Sequence, residues 1–264
     1  MSISLADPVE VVNFGCRLNI AEGEGVRAAA RAAGVRDTII FNSCAVTDEA
    51  VRQARQAVRR ALRERPGTDV VVTGCAAELE RDAFAAMGAR VVSNDAKGRA
   101  ESYGASAAAP ARSTAYAPAL SGPDHARAFL GVQTGCSHSC TFCATVLARG
   151  TARSATVEAV LASARSALDR GQREIILTGV DLASYGDDSG TTLAALVEAL
   201  LALPIERLRL SSLDPDRIDD ALFALLTEET RIMPHVHLSL QAGDDMPLPR
   251  MKRRLRRADA VRLT

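Results

Sequence analysis

The chain has 264 residues, 47% of them hydrophobic and 24% charged, with 32 basic side chains against 32 acidic ones. This is enough for one large domain or two ordinary ones, and it excludes a disordered, collagen-like or small disulfide-stapled protein. No apolar run reaches the ~18 residues a spanning helix needs, and the opening Met-Ser-Ile-Ser-Leu-Ala-Asp-Pro lacks the regions of a signal peptide, so a cytoplasmic protein without a membrane partner is expected.

Over residues 1–95, strand and helix signals alternate as in an α/β domain. Val9–Phe14 predicts a strand and Ala21–Ala33 a helix closed by Gly34. Asp37–Phe41 is a second strand. Thr47 is placed to cap a helix carrying Asp48 and Glu49 in its first turn, which runs to Arg65 before Pro66-Gly67 stops it. Asp69–Thr73 reads as a third strand, Glu78–Met87 as a helix and Ala89–Val92 as a fourth strand. Residues 96–124, rich in Ala, Ser, Gly and Pro without an apolar period, read as a linker. A second α/β series occupies 125–264. Its strands are expected at Ala128–Gln133, Glu174–Thr178, Leu208–Ser211 and Val236–Leu240, its helices at Thr156–Asp169, Thr192–Leu203 and Asp216–Glu228. Repeats of this length suit βαβ units in a barrel or partial barrel. Arg250–Arg262 carries seven basic residues and one acid inside what reads as a further helix, so the barrel is expected to be incomplete at its C-terminus.

The six cysteines fall into two groups of three. In a reducing compartment such cysteines are more often metal ligands or catalysts than disulfides. Cys16, Cys44 and Cys75 each lie just past the C-terminal end of a predicted strand. In a parallel sheet those ends share the edge where open α/β sheets bind ligands, so three distant cysteines can converge. Cys136-Ser-His-Ser-Cys140-Thr-Phe-Cys143 places the other three on one loop after a strand. Zinc sites usually add a second, distant pair. Three thiolates can instead hold three irons of a [4Fe–4S] cluster and leave the fourth open to a substrate or cofactor. A zinc loop with His138 as fourth ligand stays open as an alternative, as does Phe142 simply packing under the loop.

The clustered motif resembles the radical SAM superfamily, in which the open iron seats S-adenosylmethionine. Asn13-Phe-Gly-Cys16-Arg-Leu-Asn19, Asn42-Ser-Cys44-Ala-Val-Thr47 and Thr73-Gly-Cys75-Ala-Ala-Glu78 resemble the N-terminal domain of the radical SAM methylthiotransferases. Leu177–Gly186, Arg209–Pro215, Met233–Asp245 and Met251–Arg254 are most similar to the branch that acts on N6-threonylcarbamoyladenosine of tRNA. The resemblance implies an N-terminal parallel-sheet α/β domain followed by a truncated radical SAM partial (β/α) barrel. It also implies two [4Fe–4S] clusters and S-adenosylmethionine as cofactors. Cys136, Cys140 and Cys143 would hold the catalytic, radical-generating cluster, and Cys16, Cys44 and Cys75 an auxiliary one that carries sulfur. Phe142, Thr178, Gly179, Ser211, Ser212 and Gln241 would contact S-adenosylmethionine; ordinary packing and helix capping are the alternatives for these residues. Arg149 and Arg153, close behind the loop, would meet the substrate.

The implied reaction is methylthiolation of C2 of the modified adenosine beside the anticodon. That C–H has no acidity a side-chain base can exploit, so a 5′-deoxyadenosyl radical is the expected route. The implied partners are the tRNA anticodon stem-loop and an electron donor such as flavodoxin or ferredoxin. The Arg-rich helix 47–65 and the basic run 250–262 are candidate phosphate contacts, with solvated faces as the plain alternative. Rival readings are methylthiolation of isopentenyladenosine in tRNA or of a ribosomal-protein aspartate, or a non-catalytic iron–sulfur or zinc fragment that binds RNA.

Overall fold

Alternation along the central strands of the N-terminal sheet builds two cores at once. In β2 (Thr38–Ser43) and β3 (Asp69–Gly74), Ile39, Phe41, Val70 and Val72 point to one face, where α2 (Asp48–Glu64) lays down Ala54, Val58 and Ala61. Ile40 and Val71 point to the other face, meeting Val26, Ala29 and Ala30 of α1 (Arg17–Ala32). Strands covered on both sides read as continuous β-branched runs and belong in a parallel sheet. The computed structural model, which describes residues 8–104 and 115–263, has that sheet in the order β1–β2–β3–β4, all parallel, with β1 at Val9–Asn13 and β4 at Arg90–Val91. Short helices α3 (Cys75–Leu79) and α4 (Arg81–Ala86) lie between β3 and β4 where a single helix was expected. Helix α1 begins a turn earlier than expected, directly after Cys16, while Thr47 caps α2 as read from the sequence, its hydroxyl accepting from Ala50 N at 3.2 Å.

The chain divides into two compact units, Met1–Ser113 with Leu147–Arg149, and Thr114–Val146 with Gly150–Thr264. The linker expected at 96–124 is corrected at both ends. Ala96 and Tyr103 are buried in the first unit, and the Tyr103 hydroxyl donates to Lys97 O at 2.7 Å. Ala119–Leu120 forms β5 against β6 (Ala128–Gly131) of the second unit. One aromatic anchor and a two-residue edge strand are too little signal to stand out of an Ala/Ser/Pro-rich stretch; 105–114 lies outside the described residues.

In the second unit β6 (Ala128–Gly131), β9 (Glu174–Thr178) and β10 (Arg207–Leu210) are parallel neighbours with β5 antiparallel at the edge, in the order β10–β9–β6–β5. Between β6 and β9 run the pair β7 (Gln133–Thr134) and β8 (Arg153–Ser154), helix α5 (Thr145–Arg149) and helix α6 (Val157–Asp169). The core gathers Leu130, Ile175, Leu177, Leu208 and Leu210 under α6 and α7 (Leu193–Leu201). Thr156, Thr192 and Asp219 cap α6, α7 and α8 (Asp220–Glu228), so α8 starts one turn later than expected. The fourth strand, expected over Val236–Leu240, shrinks to β12 (His237–Leu238), which pairs with β11 (Ser212–Leu213) in a separate two-stranded sheet. Pro234 just before it has no N–H to give a ladder. Helices α9 (Pro247–Arg250) and α10 (Arg257–Leu263) follow. Among the described residues no helix is long and apolar enough to cross a membrane.

Gly74, at φ +91°, closes β3 so tightly that a Cβ would collide with the Ser43 carbonyl. Gly74→Ala is expected to destabilise the chain by about 2–3 kcal/mol, seen as a lower urea midpoint at unchanged slope.

Candidate functional site

The register of the first sheet delivers the spread cysteines to one edge. Asn13 lies beside Asn42, Asn42 beside Thr73 and Ser43 beside Gly74, so the residues that follow leave the sheet at the same level. Cys16 precedes α1 in extended conformation, Cys44 follows β2 at once, and Cys75 opens α3. Gly15, at φ +79°, lets the first loop pass, since a Cβ there would collide with Cys44 Cβ and Sγ. The loops are tied by amides: Asn19 donates to Phe14 O and Ser43 O at 3.0 Å each, and Asn42 to Asn13 Oδ1 and Asn19 O at 3.0 and 2.9 Å.

The three thiols interact. Cys16 donates to Cys44, which with burial pushes the Cys16 thiol up and draws Cys44 down to about 6. All six cysteines are free. Beside them lies a buried charge network. Arg149, 5% exposed, donates through Nε to Cys75 Sγ at 3.1 Å, through Nη1 to Glu22 Oε1 at 2.9 Å, and through Nη2 to Asn19 Oδ1 and Glu22 Oε2 at 2.8 and 3.0 Å. Lys97 Nζ sits 2.6 Å from Glu22 Oε2 and 3.1 Å from Asn42 Oδ1. Burial alone would raise the Glu22 carboxyl, but the two cations outweigh it and hold it near 2. The substrate contact expected of Arg149 is therefore corrected: its guanidinium is occupied by protein groups. Arg153 lies half-buried in β8 opposite Thr134.

In the second unit Cys136, Cys140 and Cys143 line an open cleft of about 530 Å³, together with His138, Phe142, Asp181, Ser212, Asp214, Gln241 and Arg253 among others. The loop is fixed from several sides. Cys136 N donates to Gly150 O at 3.1 Å and Thr141 N to Met251 O at 3.3 Å. The backbone N–H groups of His138 and Thr145 each reach a cysteine sulfur, Cys136 and Cys143, at 3.4 Å. Arg253, whose side chain is 6% exposed, bonds Asp214 Oδ2 at 2.5 Å and Ser239 O at 3.0 Å, and points Nη1 at Cys140 Sγ from 3.8 Å. Burial and the neighbouring Asp216 raise the Asp214 carboxyl to about 7 against the pull of Arg253. Burial likewise pushes the Cys136 thiol up to about 12.

Of the residues expected around S-adenosylmethionine, Phe142, Ser212 and Gln241 line this cleft, and Thr178, Gly179 and Ser211 stand behind it at the ends of β9 and β10. Val180 and Asp181 take the lining position instead, held by Gln133 Oε1, which accepts from both their N–H groups at 3.0 Å. Gln133, Asp181, Asp214 and Arg253 were not singled out from the sequence. The last three lie inside the matched blocks 177–186, 209–215 and 251–254, which was signal enough to name them; Gln133 carried none.

The donor sets fit iron–sulfur clusters better than single ions. Thiolates around one tetrahedral zinc sit ~3.8 Å apart at Zn–S lengths of ~2.3 Å. Among the described residues the one set of three ligating side chains with donor atoms within 4.8 Å of one another is His138, Asp214 and Asp216, which contains no cysteine. His138 Nε2 faces the Asp181 and Asp214 carboxylates at 3.5 and 3.6 Å, not the thiols. That Nε2, Asp214 Oδ1, Arg253 Nε and the hydroxyl of Ser211 are buried without a hydrogen-bond partner, as expected where a polar ligand completes a site.

Residues 130–263 match the family model of the Radical SAM superfamily, and residues 8–93 that of Uncharacterized protein family UPF0004. The chain belongs to the radical SAM superfamily, whose members use a [4Fe–4S] cluster and S-adenosylmethionine. Among curated proteins it is similar to the threonylcarbamoyladenosine tRNA methylthiotransferase MtaB of Rickettsia prowazekii, 39% identical over 96% of this chain and 63% of that protein. MtaB of Bacillus subtilis is 31% identical over 91% and 59%, and a tRNA-2-methylthio-N(6)-dimethylallyladenosine synthase of Anaeromyxobacter sp. is 32% identical over 94% and 59%. The chain thus spans about three fifths of the length of the curated relatives it matches. In fold it is similar to the radical S-adenosylmethionine methyltransferase TsrM of Kitasatospora setae, with a TM-score of 0.65 at 12% identity over 98% of this chain and 65% of that one.

The Glu22 network sets an acid limit on the first unit. A carboxyl held near 2 in the folded chain, against 4.5 in the unfolded one, contributes stability that is present above pH 4.5 and lost as pH falls towards 2, roughly 3 kcal/mol at most. Denaturant titrations at fixed pH are expected to show that loss in the parent chain and a flatter profile, from a lower starting stability, in Glu22→Gln.

Proposed function

We propose that the chain is a tRNA methylthiotransferase acting on C2 of N6-threonylcarbamoyladenosine beside the anticodon, with two [4Fe–4S] clusters. The observation that carries this reading is the presence of two separate trios of free cysteines, one per unit, each with an arginine turned to a member's sulfur. Cys136, Cys140 and Cys143 would hold the cluster that works with S-adenosylmethionine, and Cys16, Cys44 and Cys75 the auxiliary one. The name of the relative at 39% identity, against 32% for the dimethylallyladenosine synthase, favours the threonylcarbamoyl branch.

When bound, the cluster and S-adenosylmethionine supply one-electron chemistry, which an unacidic aromatic C–H requires and no side-chain base provides. The chain's own residues bind and orient. Gln133 fixes the loop after β9 so that Val180 and Asp181 face the cleft. Asp214, anchored by Arg253, offers its second oxygen to an ammonium or hydroxyl of the ligand, and Ser212 and Gln241 offer polar groups from the strand ends. Phe142, 53% exposed at the mouth, gives an adenine ring a surface to lie on. Thr178, Gly179 and Ser211 support these positions from behind. The exposed side chains of Arg250, Lys252, Arg254 and Arg256 and the half-buried one of Arg153 are the candidate tRNA phosphate contacts. A flavodoxin- or ferredoxin-type donor would supply the electrons.

Anaerobic reconstitution of the chain is expected to give about eight irons, four for each cluster, and release of 5′-deoxyadenosine from S-adenosylmethionine. Expressed in a bacterium lacking its own enzyme, it is expected to add the 2-methylthio mass to threonylcarbamoyladenosine in digested tRNA. Cys140→Ala should abolish 5′-deoxyadenosine release and halve the iron. Zinc in place of iron with no cleavage, or a mass increment on dimethylallyladenosine alone, would overturn the assignment.

A further inference from the structure

Two buried cations lie beside the Cys16, Cys44 and Cys75 trio. Arg149 and Lys97 are buried cations and share one buried carboxylate, Glu22. The amide oxygens of Asn19 and Asn42 complete their hydrogen bonds but carry no charge. The guanidinium edge that Glu22 and Asn19 do not take up is Nε, and it donates to Cys75 Sγ at 3.1 Å. A cubane core of charge +2 on three thiolates carries one negative charge, and two when reduced by one electron. A guanidinium held against such a cluster favours its reduced, more negative form.

We infer that Arg149 is a positioning residue for the auxiliary cluster. Clamped by Glu22, it holds one charge-assisted N–H···S bond on Cys75 and raises the cluster's reduction potential. This rests on the proposal that Cys16, Cys44 and Cys75 hold a cluster. Hydrogen bonds to cluster sulfurs and local net charge are established means of setting such potentials. Removing the guanidinium makes the added electron less welcome and lowers the potential; removing the Glu22 charge leaves the cations less neutralised and raises it. Opposite signs from two partners of one ion pair are what a purely structural role does not produce, because losing either partner then simply loosens the site.

The test uses the full chain carrying Cys136→Ala, Cys140→Ala and Cys143→Ala, so that one cluster remains. Its midpoint is read by potentiometric titration with dithionite and mediators, followed by electron paramagnetic resonance. The expected results are a midpoint more negative in Arg149→Met, less shifted in Arg149→Lys, and more positive in Glu22→Gln, at about four irons per chain in each. Should Arg149→Met fail to load iron, the Lys and Gln variants still carry the opposed signs. Unmoved midpoints, or shifts of one sign in Arg149 and Glu22 variants alike, would overturn the inference while leaving the auxiliary cluster in place. A background chain that binds no iron would instead overturn the cluster reading itself.

Discussion

A guanidinium taken out of water must find a partner for each of its edges. Arg149 meets this condition with a carboxylate, an amide oxygen and Cys75 Sγ. Burial costs Arg149 solvation, yet its affinity for the proton is raised well above the ordinary value because Glu22 and Cys75 outweigh that cost. Such a network is stable only while it is complete; removing one partner leaves an unpaired charge in the interior. It therefore constrains the loops of Cys16 and Cys75, the start of α1 and the Asn94–Lys97 stretch together. Asn94 adds a bond to Ala148 O at 3.1 Å, beside the arginine.

Convergence of the first trio follows from elementary sheet geometry. Parallel strands in register end together, and a cysteine within three residues of each end must come to the same edge. What the strands cannot supply is closeness, and two local devices do so: a left-handed glycine at 15 that admits the Cys44 side chain, and the amide lattice of Asn13, Asn19 and Asn42. The Ser43 hydroxyl binds α3 to β2, donating to Thr73 O at 2.6 Å while accepting from Ala77 N at 3.0 Å. The polar residues flanking the cysteines thus satisfy the backbone groups that crowded strand ends leave open.

Much of this was legible beforehand, because the signals were periodic or local. Apolar runs of β2, β3 and β9, the Thr47 cap and the cysteine spacings are properties of a few adjacent residues. The missed features depend on distant partners. Glu22 stands four residues from Leu18 and from Val26 on the buried stripe of α1. An acid on an apolar face signals a buried cation, but the cation's identity, Arg149, lies more than a hundred residues away. Tyr103 was hidden in a stretch whose composition reads as linker. The β-strand expected at 236–240 is shortened to His237–Leu238 because apolar alternation says nothing about a missing N–H at Pro234 or about whether a neighbour is in register. The Arg-rich helix α2 shows the same limit for charge. Arg52, Arg55, Arg60, Arg63 and Arg65 each lie at a carboxylate, of Glu49, Glu80, Glu64, Glu64 and Glu10, so a basic stripe in sequence is nearly neutral in space and is a weaker phosphate surface than the C-terminal run.

The two trios differ in how far each is closed, and the difference agrees with different tasks. Cys44 and Cys75 are buried, and their arginine is in direct contact at 3.1 Å. Cys143 is exposed, Cys136 and Cys140 are half-buried, and Arg253 stands off Cys140 at 3.8 Å. A group whose potential must be held at one value gains from a dry, fixed surround, since each dipole acts at full strength where water does not screen it. A group that must admit and release a small molecule needs an open mouth and unsatisfied polar atoms around it, which is what the cleft with His138, Asp214 and Arg253 presents. Closure there has to come from the ligand itself, and the raised Asp214 carboxyl belongs to the same condition. With burial and Asp216 opposing its charge and Arg253 supporting it, it is ready to be tipped to the ionised form by a cation arriving in the cleft.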